Sequence, residues 1–336
     1  MIDLTLSLRR WYLIGLAACV STLFLLGVMP LRQDAAIALT AVAFLAQVGS
    51  TLVSIPVTGL MAHTVAEDRK GRAAGWYQAG NLGGNGFGGG AGVWLASHYS
   101  SSAAGAVLAG SMVLCALALR FIPDVSPIIH ERLWPRLRLM GKDLAALVRA
   151  PLGRMTIVLV ACPIGAAAMN NLWSAVAPDW RADANTVALM TGVLSGMLSA
   201  VGCVVGGWIA DRHGRWWAYY GSGVVMAGIA LIMAVTPRTP FAFSTGVLCY
   251  AFGGGVAYAT FSAMVLYVIG RGAASTKYAM LSSLGNLPVV YMTALNGWAH
   301  DRYGTAAMLV IEALAAVVWV ILGLAALARL KKRGAA

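Results

Sequence analysis

Long apolar blocks, each about one bilayer thick, recur along almost the whole chain with short polar joints between them. A helix rises 1.5 Å per residue, so about twenty mostly apolar residues cross the roughly 30 Å hydrocarbon core of a membrane. On that measure the pattern predicts ten spans, at 11–30, 36–62, 74–97, 103–122, 155–178, 186–210, 216–236, 241–270, 278–299 and 305–328. The first follows Arg9 and Arg10 as a signal peptide would. Its apolar run exceeds an h-region and no small-residue cleavage site follows, so it is read as a retained helix. The expected fold is an all-α polytopic membrane protein.

The longest polar stretch, 123–154, carries Pro123, Pro127 and Pro135 with several arginines and divides four spans from six. The expected organisation is an N-terminal half-bundle at 1–122, a cytoplasmic linker at 123–154 and a C-terminal half-bundle at 155–336. Within the linker, Leu137 to Val148 has the pattern of a short amphipathic helix lying on the inner membrane surface. A solvated connector is the other reading.

Composition sharpens this picture. The chain is 60% hydrophobic and 11% charged, where a soluble domain carries about a quarter charged residues. A net charge of +12 would suggest nucleic acid if it formed one face. Instead the basic residues sit in alternate loops. One side carries only Arg32, Arg181, Arg238 and Arg302, leaving 20 of the 24 on the other, and the positive-inside rule then places both termini in the cytoplasm of a cell (inner) membrane. Nucleic acid is not an expected partner.

The five cysteines all lie inside apolar blocks without CxxC spacing, and the five histidines sit at loops or span ends. Neither set has metal-ligand or nucleophile spacing. With no GxxxxGK[ST] stretch either, no enzymatic site, metal or cofactor is expected. Residues Gly84 to Gly89 match GxGxxG, but that fingerprint needs a preceding strand, and these glycines lie mid-span.

The same region holds Gly80, Gly84, Gly88 and Gly92 at every fourth position, a row expected to let another helix approach closely. Gly192 with Gly196 and Gly202 with Gly206 suggest the same for the sixth span. Polar residues at membrane depth need partners or a wet cavity. Gln47, Ser50, Thr51 and Ser54 form one helical stripe, and Gln78, Asn81 and Asn85 nearly form another. Asn170, Asn171, Trp173, Tyr250, Tyr258 and Asn286 are the candidates in the second half. Either these groups line one solute pathway or they bond neighbouring helices. Glu312, seven residues into the last span, is a proton-coupling candidate; the competing reading has it snorkelling to the outer interface or bonded to a neighbour.

Gly207-Trp208-Ile209-Ala210-Asp211-Arg212-His213-Gly214-Arg215 fits GxxxDRxGR and resembles the cytoplasmic loop signature of the major facilitator superfamily. The resemblance implies a gating set of Gly207, Asp211, Arg212, Gly214 and Arg215, with Asp211 facing the start of the third span around Arg72 to Trp76. Two further stretches, Lys70 to Gly84 (KGRAAGWYQAGNLGG) and Ser275 to Ser283 (STKYAMLSS), resemble the muropeptide permease (AmpG-like) and acetyl-CoA transporter branch. These transporters have twelve helices, and the ten spans match their third through twelfth. Ile2 to Trp11 then corresponds to the loop before the third helix, and the first two helices are absent.

The resemblance implies a major-facilitator-type bundle of about ten helices, four plus six, that works as a secondary-active transporter by alternating access. It would import an anhydro-muropeptide or another amphiphilic solute in symport with protons. The substrate would meet Gln47, Asn81, Asn85, Asn170, Asn171, Tyr250, Tyr258 and Asn286, with Trp173 as a stacking face. The partners expected are that small molecule, membrane lipids and protons. The competing reading is a truncated, non-transporting membrane protein, scaffold or partner subunit.

Overall fold

Polar caps start several of the helices. Ser7 accepts the Arg10 backbone N–H at the head of α1 (Leu8–Val28), and Ser100 accepts that of Ala103 before α4 (Ser101–Ala116). Between them run α2 (Ala36–Thr64), with Pro56 inside it, and α3 (Lys70–His98). A side-chain oxygen at this position satisfies one of the N–H groups that the first turn leaves without a helical partner. The computed structural model describes residues 7–29, 36–123, 133–164, 167–270 and 273–332. The opening residues 2–6, linker residues 124–132 and Arg32, Arg271 and Arg333 lie outside the described residues.

In the remaining chain come α5 (Leu133–Arg149), α6 (Pro151–Val160) and the single turn α7 (Trp173–Val176). Asp183 caps α8 (Ala184–Leu189), which passes through a π turn at Met190–Leu194 into α9 (Ser195–His213). Then follow α10 (Arg215–Val235), α11 (Pro240–Val268), α12 (Ala274–Leu284) and α13 (Leu287–Lys332). Among the described residues the regular structure is all helical.

Among the described residues seven helices are long and apolar enough to cross a membrane. The expected spans differ from these in three informative places. The span at 74–97 is α3, 29 residues and about 44 Å long, but too rich in glycine and amides to count as apolar. The span at 155–178 is broken: α6 ends at Val160, ahead of Pro163, and helical turns resume at Ala168. The last two spans lie within one apolar run, divided at Gly304, whose φ of 79° is left-handed.

The chain divides into two compact units, one of residues 1–65, 88–144 and 270–279, the other of 66–87, 145–269 and 280–336. In the first, α1 packs on α2 and α4 through glycines. A Cβ at Gly15 would lie 2.7 Å from the Leu52 carbonyl carbon, and one at Gly27 2.9 Å from the Ser101 oxygen.

In the second unit α9 packs on α11, and α10 on α11 and α13, around a core of Trp173, Trp180, Phe243, Tyr250 and Met308. The start of α3 lies on α9. Here only one member of the glycine row expected to pack does so: an added Cβ at Gly92 would lie 3.1 Å from the Leu108 side chain, within the first unit. A Cβ added at Gly80, Gly84 or Gly88 would meet nothing within 4 Å. The contact is made by Gly71, Gly75 and Gly86, whose added Cβ atoms would press on Asp211 and Gly207, Cys203, and Gly196. At 100° per residue, Gly84 lies half a turn from Gly75, so the spacing is right and the face opposite. On α9, Gly196, Gly202 and Gly206 pack tightly as expected, while Gly192 faces open space.

Candidate functional site

Folding α13 back on itself at Gly304 brings Asn296 and Glu312 together. Asn296 Nδ2 donates to Glu312 Oε2 at 2.7 Å, although in a straight helix the two would stand about 24 Å apart. The other carboxylate oxygen, Oε1, accepts from the Tyr250 hydroxyl on α11 at 2.6 Å. Glu312 is 8% exposed, and Tyr250 and Asn296 are fully buried. Glu312 therefore does not snorkel outward. Taking a carboxylate out of water is costly unless hydrogen bonds replace its hydration, and two donors are supplied here.

The wall beside this carboxylate is aromatic. The Trp173 ring meets Tyr250 edge-on at 5.4 Å and Phe243 at 6.4 Å. Trp173 is 1% exposed, so it belongs to the core and offers no stacking face in this structure. Two buried polar atoms beside the site, Trp173 Nε1 and Asn296 Oδ1, have no hydrogen-bond partner among the described residues. Asn296 escaped the sequence reading because its partner lies beyond the reversal at Gly304, yet an amide within an apolar span was itself the signal.

At the break after α6 two tyrosines donate to backbone carbonyls. The Tyr291 hydroxyl donates to Ala161 O at 2.8 Å and that of Tyr219 to Ile164 O at 3.2 Å. Beyond the break, Asn170 and Asn171 are exposed, and Asn171 Nδ2 donates to Thr293 Oγ1 at 3.1 Å. Asn286 is exposed in the gap between α12 and α13.

A second polar chain joins α3 to α11. Gln78 Nε2 donates to Ser262 Oγ at 2.5 Å, and Asn81 Nδ2 to Gln78 Oε1 at 3.1 Å. Gln78 is buried, whereas Asn81 and Asn85 are exposed. Tyr258 is half-buried on α11. The exposed Gln47 belongs to the first unit; the other eight predicted substrate residues belong to the second.

Asp211, at the end of α9, binds the N-terminus of α3. Its Oδ1 accepts the Gly71 N–H at 2.7 Å, and its Oδ2 accepts the Arg72 N–H at 2.9 Å and Arg72 Nε at 3.3 Å. The carboxylate side chain is 7% exposed. It meets free N–H groups, the positive end of a helix dipole and a guanidinium together, and each favours its charge. The partner is the helix start that the resemblance implied. Gly207 permits the approach, and Gly214, at φ 92°, makes the turn into α10.

The neighbouring basic residues divide their work. Lys70, 1% exposed, pairs with Glu67 at 2.7 Å and donates to the Leu266 carbonyl near the end of α11 at 3.2 Å. Arg215 donates to the Glu67 carbonyl and lies 4.5 Å over the Tyr267 ring. Arg212 is exposed, with its guanidinium 5.2 Å over the ring of Trp208.

The family model described as Major Facilitator Superfamily matches residues 1–290. No curated protein sequence matches the chain. The human organic anion transporter MFSD10 (TETRAN) is similar in structure, with a TM-score of 0.73 at 15% identity over 94% of this chain and 77% of that one. The E. coli fucose:proton symporter FucP gives 0.69 at 15% identity over 95% and 84%. A bacterial homologue of the iron transporter ferroportin, in an outward-facing state, gives 0.61 at 16% identity over 97% and 85%. At such identities the likeness is one of fold.

Proposed function

The chain belongs to the Major Facilitator Superfamily, whose members are transporters and not enzymes, and from that premise we propose that it imports a muropeptide-like or other bulky amphiphilic solute together with protons. It is a multi-pass membrane protein. In this reading it sits in a cell inner membrane with both termini in the cytoplasm, the orientation its loop charges favour. It works by alternating access, with Asp211 at the head of α3 as the contact that breaks when the cytoplasmic side opens.

The observation that carries proton coupling is the buried carboxylate of Glu312, held by Tyr250 and Asn296. A carboxylate in a low-dielectric site can be neutralised by one proton, and ionisable groups inside membranes mark substrate and ion pathways and proton relays. Donors fixed on two elements let that protonation alter how α11 and the two arms of α13 meet. The substrate class rests on the resemblance of 70–84 and 275–283 and on the exposed amides Asn81, Asn85, Asn170, Asn171 and Asn286, which suit a glycopeptide.

The test is uptake of labelled anhydro-muropeptide into proteoliposomes under an imposed pH gradient. Uptake that collapses when the gradient is dissipated supports the reading. Uptake indifferent to the gradient removes proton coupling and leaves the substrate. No uptake by folded protein, in either orientation, removes the substrate.

A further inference from the structure

Between α9, α10 and α11 the second unit carries a groove of 320 Å³. Its walls are apolar, formed by Val205, Ile209, Val225, Phe252 and Val256. Its floor is open at Gly221, where an added Cβ would meet nothing within 4 Å. His213 and Trp217, at the end of α9 and the start of α10, form its mouth. From Trp217 to Val225, the lining along α10, is about 12 Å, somewhat less than half the thickness of the hydrocarbon core. The groove therefore fits within one leaflet.

Beside its mouth stands a cationic and aromatic cluster. The His213 ring meets Trp208 edge-on at 6.2 Å, and the exposed Arg212 guanidinium lies 5.2 Å over the same Trp208 ring. Trp208 and Trp217 are 47% and 62% exposed. Indole rings favour the level where hydrocarbon meets headgroup, and a guanidinium at that level matches a phosphate.

The opposite end of the α10–α11 seam carries a second groove, of 420 Å³, bounded by Thr236, Thr239 and Phe241. That lining is uncharged, and the nearby Arg238 lies over the Trp180 ring at 4.1 Å. The two grooves share an apolar character and differ in charge.

We propose that the groove between α9, α10 and α11 is a binding site for an anionic phospholipid, one acyl chain lying over Gly221 and the phosphate held at Arg212 and His213. An acyl chain gains little by leaving lipid for an apolar groove, so the headgroup must supply the selectivity. A preference for negative charge is the signature of this site.

The experiment is native mass spectrometry of the purified full chain with phosphatidylglycerol and phosphatidylcholine of identical acyl chains. One phosphatidylglycerol per chain should be retained in preference to phosphatidylcholine by about fivefold, the effect of roughly one interfacial cation. Gly221→Leu and, independently, Val225→Trp fill the groove and should each abolish the preference. Arg212→Gln should equalise the two lipids, and Thr245→Trp, in the uncharged groove, should change nothing. Equal retention of the two lipids by the unmodified chain overturns the proposal. So does a preference that survives both filling variants, since it would then reflect only the net positive charge. Circular dichroism identifies a variant that fails to fold, and the other filling variant then decides.

Discussion

Asn296 and Glu312 are sixteen residues apart in sequence and 2.7 Å apart in space, joined across the reversal at Gly304. This one contact reports whether the two arms of α13 are correctly folded on each other. It also couples a backbone conformation to the buried carboxylate of the candidate site.

Gly304 has φ 79° and ψ 177°, a region almost reserved for glycine. Gly304→Ala should cost about 1–3 kcal/mol. It is expected to lower the thermal midpoint in detergent, and an unchanged midpoint would show that the reversal does not depend on that conformation.

Glu312→Gln keeps one accepting oxygen and turns the other into an NH2 that can donate to the Asn296 Oδ1 or the Tyr250 hydroxyl once that group reorients, so the fold should persist while the pH dependence of uptake is lost. Glu312→Leu instead leaves two buried donors without acceptors, at about 1–3 kcal/mol each. If Gln destabilises as much as Leu, the carboxylate's role is structural and the coupling proposal fails.

Asp211→Asn removes the charge that draws Gly71 and Arg72 to the end of α9. Charge-assisted bonds contribute about 1.5–3 kcal/mol, so the balance between open states should shift while the protein remains folded. Labelling of cysteines placed along the start of α3 would reveal the shift, and labelling rates equal to those of the parent protein would count against the lock.

The two glycine faces of α3 predict opposite outcomes for one chemical change. Gly86→Ala would place a Cβ 2.6 Å from the Gly196 Cα, forcing backbone apart at about 1–3 kcal/mol. Gly84→Ala meets nothing within 4 Å and should be neutral or stabilise the helix by about 0.5–1 kcal/mol. Thermal unfolding of the pair checks this directly, and a reversed order would be incompatible with the packing described.

Asp183 lies outside the spans and caps α8. The Thr186 hydroxyl, and the N–H groups of Asn185 and Thr186, hold its pKa below the usual carboxylate value. A lowered pKa means a stabilisation that is complete above the unfolded-state pKa and disappears as pH falls through the folded-state value. Asp183→Ala should therefore lower the thermal midpoint at neutral pH, with a difference that shrinks in strong acid. A difference constant with pH would exclude the charged cap as its source.

Helical character was legible in the sequence for a physical reason, since a bilayer demands about twenty apolar residues per crossing. The Asp211 contact was legible only through the resemblance of 207–215 to a family signature, because nothing in the turn itself names the helix it faces. Side-chain direction was less accessible. The glycines of α3 repeat at helical spacing on more than one face, so periodicity alone could not select Gly71, Gly75 and Gly86 over Gly80, Gly84 and Gly88. Glu312 posed a similar problem: counting from the end of its span gives depth but not which neighbours it faces. Asn296 was hidden because its partner arrives from beyond a chain reversal. The stretch after Val160 where α6 ends reads as apolar sequence, and the tyrosines that bond its carbonyls come from α10 and α13.

Those tyrosines have a consequence for hydration. Ala161 O and Ile164 O are carbonyls at membrane depth that Tyr291 and Tyr219 satisfy with phenolic hydroxyls. Lipid tails can offer no replacement donor. Drawing either ring away, like Tyr→Phe at either position, leaves a carbonyl for which water is the available donor, so opening the discontinuity after α6 goes together with letting solvent reach it.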